Sequence, residues 1–154
     1  MEETNFNEIK AEILKRAKAA RACTAEYERA YKSENISELL AVVKDNFWWA
    51  VNNSVLTIDL IERFKNEFSA NEIYANESVS AGYVIASNAT VEASGNATVW
   101  ASGNATVRAW GNAYCTSYTT IECKIGDNAI YRVRKDNEIF YASESIKFTK
   151  IHNS

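Results

Sequence analysis

The chain has 154 residues, of which 47% are hydrophobic, so it is long enough for one or two small domains with packed cores. Proline is absent and the net charge is −3, which argues against proline-rich linkers and against a general affinity for nucleic acid. The first residues lack the pattern of a secretory leader, no apolar run approaches the ~18 residues of a membrane span, and three cysteines are too few for a disulfide framework. We therefore expect a cytoplasmic protein without membrane association.

Residues 1–70 are predicted to form a helical domain. Apolar side chains recur every three or four residues over 7–32, which is the pattern of one face of a helix. A further helix is predicted to start at Asn35. Thr57 is the predicted N-cap of a last helix, which continues to Phe68.

Three consecutive aromatic residues, Phe47, Trp48 and Trp49, lie inside this helical domain. They have two interpretations: a hot spot for a partner protein, or side chains that fill the core between helices. We favour the core, because large aromatic residues dominate the cores of small domains.

The second half of the chain is a repeat of eight residues. From Asn88 the successive blocks read NATVEASG, NATVWASG, NATVRAWG, NAYCTSYT, TIECKIGD and NAIYRVRK. Apolar residues occupy alternate positions in each block, such as Val91, Val99 and Val107, which indicates strands that bury one face. Because eight is an even number, every block turns the same positions inward. We expect this alternation to extend upstream to Ala81, Tyr83 and Ile85.

Two arrangements of these strands agree with the pattern, an antiparallel meander and a coiled β-solenoid. A meander leaves one face of an Ala/Val sheet in need of another layer, whereas a solenoid buries that face within the coil. The small inward side chains favour a thin, two-walled coil with two blocks, or about sixteen residues, per turn, because alanine does not fill a wider centre. With this period Arg108 stacks between Glu92 and Lys124 on the outer side.

The fold class that follows is α+β, with an N-terminal helical cap and a short β-solenoid of octapeptide repeats in residues 71–154. The ends of a solenoid expose unpaired backbone groups, which invite edge-to-edge pairing. We expect the helical half to cover one end. The bulkier segment Ile139-Phe140-Tyr141 is expected to close or extend the other, and an uncovered C-terminal end is a natural contact for a homodimer.

The blocks resemble two groups of known sequences. The octads of bacterial ice-nucleation proteins are similar, but they carry Thr-x-Thr ladders, whereas the first three blocks here offer one threonine each, Thr90, Thr98 and Thr106. A flat ice-matching surface is therefore not expected. Asn96-Ala-Thr-Val and Asn104-Ala-Thr-Val also resemble the tandem GNATVxA blocks of small uncharacterised proteins from gut Bacteroides-type bacteria and their phages, which likewise have a helical leader. This second resemblance implies an origin in a mobile genetic element and implies no catalytic residues.

Few residues of the chain suit catalysis. His152 is the single histidine and lies close to the last residue, where chains are usually mobile, and the glycines match no nucleotide-binding motif. Cys115 and Cys123 occupy inward positions one block apart and are expected to face each other across the core, as small buried side chains, a disulfide or a metal pair. Two thiolates without further ligands make a poor zinc site. We expect no enzyme, no cofactor and no metal site.

The outward positions of the solenoid carry aromatic and arginine side chains, the types that concentrate binding energy at interfaces. The candidate protein-binding residues are Trp100, Arg108, Trp110, Tyr114, Tyr118, Arg132 and Arg134. Their alternative role is local stacking along the solenoid wall, which needs no partner.

The function that we expect is non-catalytic binding of a protein. The phage-like resemblance implies an accessory protein that inhibits a host defence component by steric occlusion, in the manner of an anti-CRISPR. Two alternatives remain open: a self-assembling structural module, and a nucleic-acid-binding protein that uses the arginine and aromatic side chains of the wall.

Overall fold

The protein is described by a computed structural model covering residues 2–142 and 148–150. The chain divides into two compact units, Met1–Asn71 and Glu72–Ser154, which we call the helical unit and the solenoid. Helices occupy the first unit and strands the second, so the predicted α+β class with a short β-solenoid is confirmed.

The helical unit is built from helices, some of which start at a capping side chain. Within the described residues they are α1 (Glu2–Ala19), α2 (Thr24–Tyr31), α3 (Ile36–Asp45), α4 (Phe47–Asn52), α5 (Ile58–Arg63) and α6 (Lys65–Ser69). Asn35 Oδ1 accepts a hydrogen bond from the Glu38 backbone N–H at 2.9 Å, and Thr57 Oγ1 accepts one from Leu60 N–H at 3.3 Å. Both predicted helix starts are therefore confirmed.

The last predicted helix is interrupted by one residue. At Phe64 the backbone leaves the helical region (φ −122°, ψ 47°), so α5 and α6 lie on either side of it. The Phe64 N–H still bonds to Leu60 O, and the Phe68 N–H to Phe64 O, so the hydrogen-bond ladder passes through the break. The side chains of Leu60, Phe64 and Phe68 remain buried, as the spacing predicts.

The aromatic run belongs largely to the helical core. Phe47 is 2% exposed, and the ring of Trp48 packs edge-on against it with centroids 5.1 Å apart. Trp48 and Trp49 are half-buried. This arrangement agrees with the interpretation of these residues as core packing.

The solenoid consists of two sheets that share one core. Within the described residues its strands are β1 (Ile73–Ala75), β2 (Tyr83–Ser87), β3 (Thr90–Ala93), β4 (Thr98–Ser102), β5 (Thr106–Ala109), β6 (Tyr114–Ser117), β7 (Glu122–Ile125), β8 (Ile130–Val133), β9 (Glu138–Tyr141) and β10 (Phe148–Lys150). Sheet A has the order β1-β2-β4-β6-β8-β9, and sheet B has the order β3-β5-β7-β10. From β2 to β8 the chain alternates between the sheets, with parallel pairing inside each.

The predicted period is confirmed by the strand register. Thr90 pairs with Thr106, and Val107 with Cys123, so equivalent positions are sixteen residues apart. Alternating side chains point between the two sheets, where Val91, Val99 and Val107 are fully buried. Small side chains allow the two sheets to pack against each other around a continuous apolar core.

The turn from β2 to β4 is one residue shorter than the later turns, and the predicted inward positions there are wrong. Val84 pairs with Val99, fifteen residues away, and Val84 is fully buried in the core cluster. The odd positions expected to point inward, Ala81, Tyr83 and Ile85, therefore lie out of the core. Ala81 is exposed, and Ile85 shares the outward column of Trp100.

A missing glycine explains the short turn. The next two corners, 94–96 and 102–104, read Ser-Gly-Asn, whereas Ser87 is followed directly by Asn88. Asn88 itself takes the left-handed conformation (φ 54°) that Gly103 takes one turn later (φ 59°). Asn88 Oδ1 accepts a hydrogen bond from Asn104 N–H at 2.8 Å, and a Cβ on Gly103 would lie 2.6 Å from this oxygen. Glycine is therefore required at 103.

The C-terminal end of the coil is extended by antiparallel strands, which is one of the two expected outcomes. β9 pairs antiparallel with β8 and extends sheet A, while β10 pairs antiparallel with β7 and extends sheet B. Tyr131 fills the core near this end. Its hydroxyl bonds to Ser117 Oγ at 2.7 Å and accepts from Ile121 N–H at 2.9 Å. Burial raises the pKa of Tyr131 to about 12, against the opposing effect of these hydrogen bonds.

Candidate functional site

The seven candidate residues of the sequence do not form one surface. Trp100, Tyr114 and Arg132 lie on sheet A, in β4, β6 and β8, and Tyr118 and Arg134 follow β6 and β8. Arg108 lies on sheet B in β5, and Trp110 comes directly after that strand. Because the sheets face each other across the core, their outer faces point in opposite directions. Neighbouring blocks of the repeat thus belong to different faces.

The outward side chains in the middle of sheet A, which we call its outer column, are largely buried. Ile85, Trp100 and Thr116 stand side by side in the register and are 5%, 9% and 0% exposed. The guanidinium of Arg134 lies 5.6 Å from the Trp100 ring centroid, a cation–π distance. Arg132 Nη2 donates to Asn137 Oδ1 at 3.0 Å. Trp100 and both arginines therefore have contacts within the chain.

The two candidate tyrosines differ in exposure. Tyr114 is half-buried on β6, in the register between Thr98 and Ile130. Tyr118 is 59% exposed in the segment after β6, and its carbonyl oxygen accepts the Lys135 N–H at 2.9 Å. Tyr118 is thus accessible but lies away from the outer face of sheet B.

The outer column of sheet B is charged and exposed. Glu92, Arg108 and Lys124 are directly opposite one another on β3, β5 and β7, as the sixteen-residue period predicts. Neighbouring strands in a sheet are about 4.8 Å apart, so the two cations are close. Within residues 2–142 neither Arg108 nor Lys124 forms an ion pair with a carboxylate.

An open groove lies beside this column. Trp110, 38% exposed, is followed sixteen residues later by Gly126, and their N–H groups bond to Ala93 O and Ala109 O at 3.0 and 2.9 Å. The groove of about 450 Å³, which we call the sheet B groove, is lined by Glu92, Arg108, Trp110, Lys124, Gly126 and Asp127.

Asp127 fixes the corner of the sheet B groove. Its backbone is left-handed (φ 54°), and its Oδ2 accepts a hydrogen bond from Gly111 N–H at 3.1 Å. Asp127 and Gly126 are not among the binding residues predicted from the sequence. The sixteen-residue period could have predicted their position, because Gly126 follows Trp110, and Asp127 follows Gly111, by one full turn.

The buried thiols face each other across the core, as predicted. A hydrogen bond to Cys123, together with burial, raises the pKa of the Cys115 thiol well above its usual range. Both cysteines are free and almost completely buried. Within the described residues no group of three His, Cys, Asp or Glu side chains is placed to hold a metal ion. His152 lies outside the described residues.

The helical unit has a concave feature of its own, an apolar cavity of about 210 Å³ between α1, α2, α3 and α4. Two of its polar side chains satisfy each other, because Asn46 Nδ2 donates to Glu26 Oε1 at 2.7 Å. The sheet B groove differs in that Arg108 and Lys124 have no carboxylate partner among residues 2–142, so it is the better candidate for recognition.

Comparisons with known proteins add no relative. No protein-family model matches the chain, and searches of curated proteins and of solved structures also find no match. In the part of the chain that is described, no helix has both the length and the apolar character to cross a membrane.

Proposed function

We propose that the protein is a non-catalytic binding module that holds a carboxylate-bearing segment of a partner protein in the sheet B groove. The supporting observation is the pair Arg108 and Lys124, side by side in the register and without carboxylate partners among residues 2–142. Like charges directly opposite each other in a sheet destabilise it. A carboxylate bound between them removes this repulsion and forms charge-assisted hydrogen bonds.

Trp110 supplies the apolar part of the same contact. Trp110 is 38% exposed, and the groove that it lines accepts a side chain beside the ring. Tryptophan and arginine are the residues that most often dominate binding energy at protein interfaces. The preferred ligand segment therefore has an acidic residue next to a large apolar one.

The charges of the groove favour a protein over a nucleic acid. Glu92 lies beside Arg108, and Asp127 lines the groove at its corner, so two carboxylates accompany the two cations. The whole chain has a net charge of −3. Binding to a phosphate backbone depends on several cations that neutralise successive phosphates, which this groove does not offer.

The identity of the partner follows from the resemblance of the blocks to phage and Bacteroides-type proteins. In that setting the partner is a host defence protein, and the module inhibits it by covering its working surface. The mechanism is steric occlusion, in the manner of an anti-CRISPR, in the bacterial cytoplasm. It requires no catalytic group.

Fluorescence anisotropy with a labelled Leu-Glu-Glu-Leu peptide tests the groove, with Leu-Lys-Lys-Leu and a single-stranded oligonucleotide as the other probes. The acidic peptide is expected to bind, and Arg108→Glu is expected to weaken it by about tenfold or more, since a hydrogen bond to a charged group contributes ~1.5–3 kcal/mol. Lys135→Glu makes the same charge change at another exposed site and is expected to leave binding unchanged. If only the oligonucleotide binds, and its affinity falls steeply with salt, the groove is a nucleic-acid site and not a peptide site.

The defence role is tested in cells. A bacterium with an active CRISPR system is made to express the protein and is challenged with a targeted phage. Plaque formation is expected to rise with the unchanged chain and with Lys135→Glu, but not with Arg108→Glu. If plaque counts stay low across a panel of defence systems, the inhibitor role is lost, while the peptide result still decides whether the groove binds acidic segments.

A further inference from the structure

The apolar cavity between the first four helices, which we call the helical cavity, interrupts the core of the helical unit. Ala17 on α1, Ala30 on α2 and Ala50 on α4 belong to its wall, and each is at most 8% exposed. Protein cores are normally packed with few voids larger than a water molecule. At about 210 Å³ the helical cavity is instead of the size of a small organic molecule.

The wall of the helical cavity is mostly apolar and includes residues that solvent reaches. Tyr27 and Trp49 line it and are half-buried, and the exposed Cys23 lines it just before α2. A molecule can therefore enter from solvent. Aromatic pairs are more stable than their buried area alone implies. Tyr27 and Trp49 thus favour an aromatic ligand over an aliphatic one.

Two polar side chains give the helical cavity hydrogen-bond acceptors. Glu26 Oε1 accepts from Asn46 Nδ2 at 2.7 Å and from Arg29 Nη1 at 3.1 Å, so the carboxylate is held at one oxygen. In the part of the chain that the structure describes, Glu26 Oε2 and Asn46 Oδ1 accept no hydrogen bond. Both residues line the cavity. An N–H group of a ligand matches these acceptors, whereas a carboxylate is repelled by Glu26.

We propose that the helical cavity binds a neutral, bicyclic aromatic molecule with one N–H group, of the size of indole. An apolar cavity of about 150 Å³ holds one benzene ring, so about 210 Å³ has room for a fused second ring. The ligand supplies the contacts that the wall of an empty cavity lacks, and its N–H donates to Glu26. None of the residues of the sheet B groove takes part, so this binding is independent of the peptide binding proposed above.

Isothermal titration calorimetry of the full chain compares three ligands. Indole is expected to bind. Benzofuran has nearly the same shape without the N–H, and is expected to bind about three- to tenfold more weakly because it leaves the carboxylate without a donor. N-acetyltryptophanamide carries the same ring on a peptide backbone, for which about 210 Å³ has no room, and is expected not to bind.

Three results of this titration overturn the proposal. The first is that indole does not bind. The second is that indole and benzofuran bind with equal affinity, because the acceptor then has no part in recognition. The third is that N-acetyltryptophanamide binds more tightly than indole, which would assign the cavity to a tryptophan side chain of a partner protein and not to a free molecule.

Glu26→Gln tests the acceptor. The amide oxygen still accepts from Asn46, but an NH₂ group replaces the second carboxylate oxygen, so the preference for indole over benzofuran is expected to disappear. Glu28→Gln makes the same change on α2 at an exposed residue outside the cavity, and is expected to keep the preference. A preference that survives in Glu26→Gln contradicts the role of Glu26.

NMR of alanine methyl groups locates the ligand. Indole is expected to shift the methyl signals of Ala17, Ala30 and Ala50 through its ring current, and to leave those of Ala93 and Ala105 in the solenoid core unchanged. Shifts confined to the solenoid overturn the proposal.

Ala17→Leu enlarges a residue of the cavity wall and is expected to weaken indole binding by about tenfold or more, because the added atoms occupy the space of the ligand. Far-UV circular dichroism shows whether the variant keeps its helices. Unchanged binding by a folded Ala17→Leu protein contradicts the assigned site. If the variant does not fold, the methyl shifts of the unchanged chain decide.

Discussion

The two outer faces of the solenoid are built from the same repeat and have opposite characters. On sheet A the central column of Ile85, Trp100 and Thr116 is nearly inaccessible to solvent. On sheet B the equivalent column, which includes Arg108 and Lys124, is charged and open. The difference arises because successive blocks alternate between the sheets, so one repeat position samples two environments. Residue type alone does not assign an outward side chain to a binding surface; the parity of its block is also needed.

An insertion provides the largest test of this alternation. One glycine added between Val107 and Arg108 turns Arg108 toward the core, and an unpaired buried charge costs about 3–5 kcal/mol, a large share of a small domain's stability. One glycine added between Ser87 and Asn88 restores the corner of the later blocks and is expected to change the free energy of unfolding by less than about 1 kcal/mol. Urea unfolding measures both. Similar losses for the two insertions would mean that the alternation does not determine stability.

The two tryptophans sharpen the contrast between the faces. Trp100→Ala is expected to lower the free energy of unfolding by about 3–5 kcal/mol, since it removes a nearly buried indole and its contact with Arg134. Trp110→Ala removes a side chain that is 38% exposed and is expected to cost about 1 kcal/mol or less. Thermal or urea unfolding of the pair gives the comparison. A larger loss for Trp110 would reverse the assignment of the faces.

Tyr131 lies in the core that both sheets share, so its removal affects neither outer face directly. Tyr131→Phe leaves the buried Ile121 N–H and the Ser117 hydroxyl without their partner, at an expected cost of about 1–3 kcal/mol at neutral pH. Because the folded-state pKa of Tyr131 is raised to about 12 from 10.0, its stabilising effect is complete below pH 10 and is lost as pH rises toward 12. The gap in unfolding free energy between the two proteins should therefore narrow over this range. A gap that is constant with pH contradicts the buried, neutral phenol.

The smallest effect concerns the charges on sheet B. Lys124→Gln removes the repulsion with Arg108 and is expected to raise the free energy of unfolding on the order of 0.5 kcal/mol at low salt. The gain should shrink as salt screens the charges. Lys135→Gln, at an exposed site outside the column, is the control. Destabilisation by Lys124→Gln would show that the two cations do not repel each other in the folded chain.

Much of the solenoid follows from the sequence, because its determinants are local. Alternation along each block fixes which residues are buried, and the small size of Val and Ala fixes a coil of two walls. The error at Ile85 arose where one absent glycine changes the parity, and comparison of Val84-Ile-Ala-Ser with Val99-Trp-Ala-Ser would have revealed it. The proximity of Trp100 and Arg134 depends instead on how separate turns stack. Sequence distance does not encode that contact.

The alternation also determines how such a gene can change its copy number. Duplication of a single block moves every later strand to the opposite sheet, so the Arg108 and Lys124 positions would exchange places with those of Thr116 and Arg132. Duplication of two blocks lengthens the coil by one turn and preserves both faces. A lineage that keeps a functional groove is therefore expected to gain or lose blocks in even numbers, although the repeating unit of the sequence is the single block of eight residues.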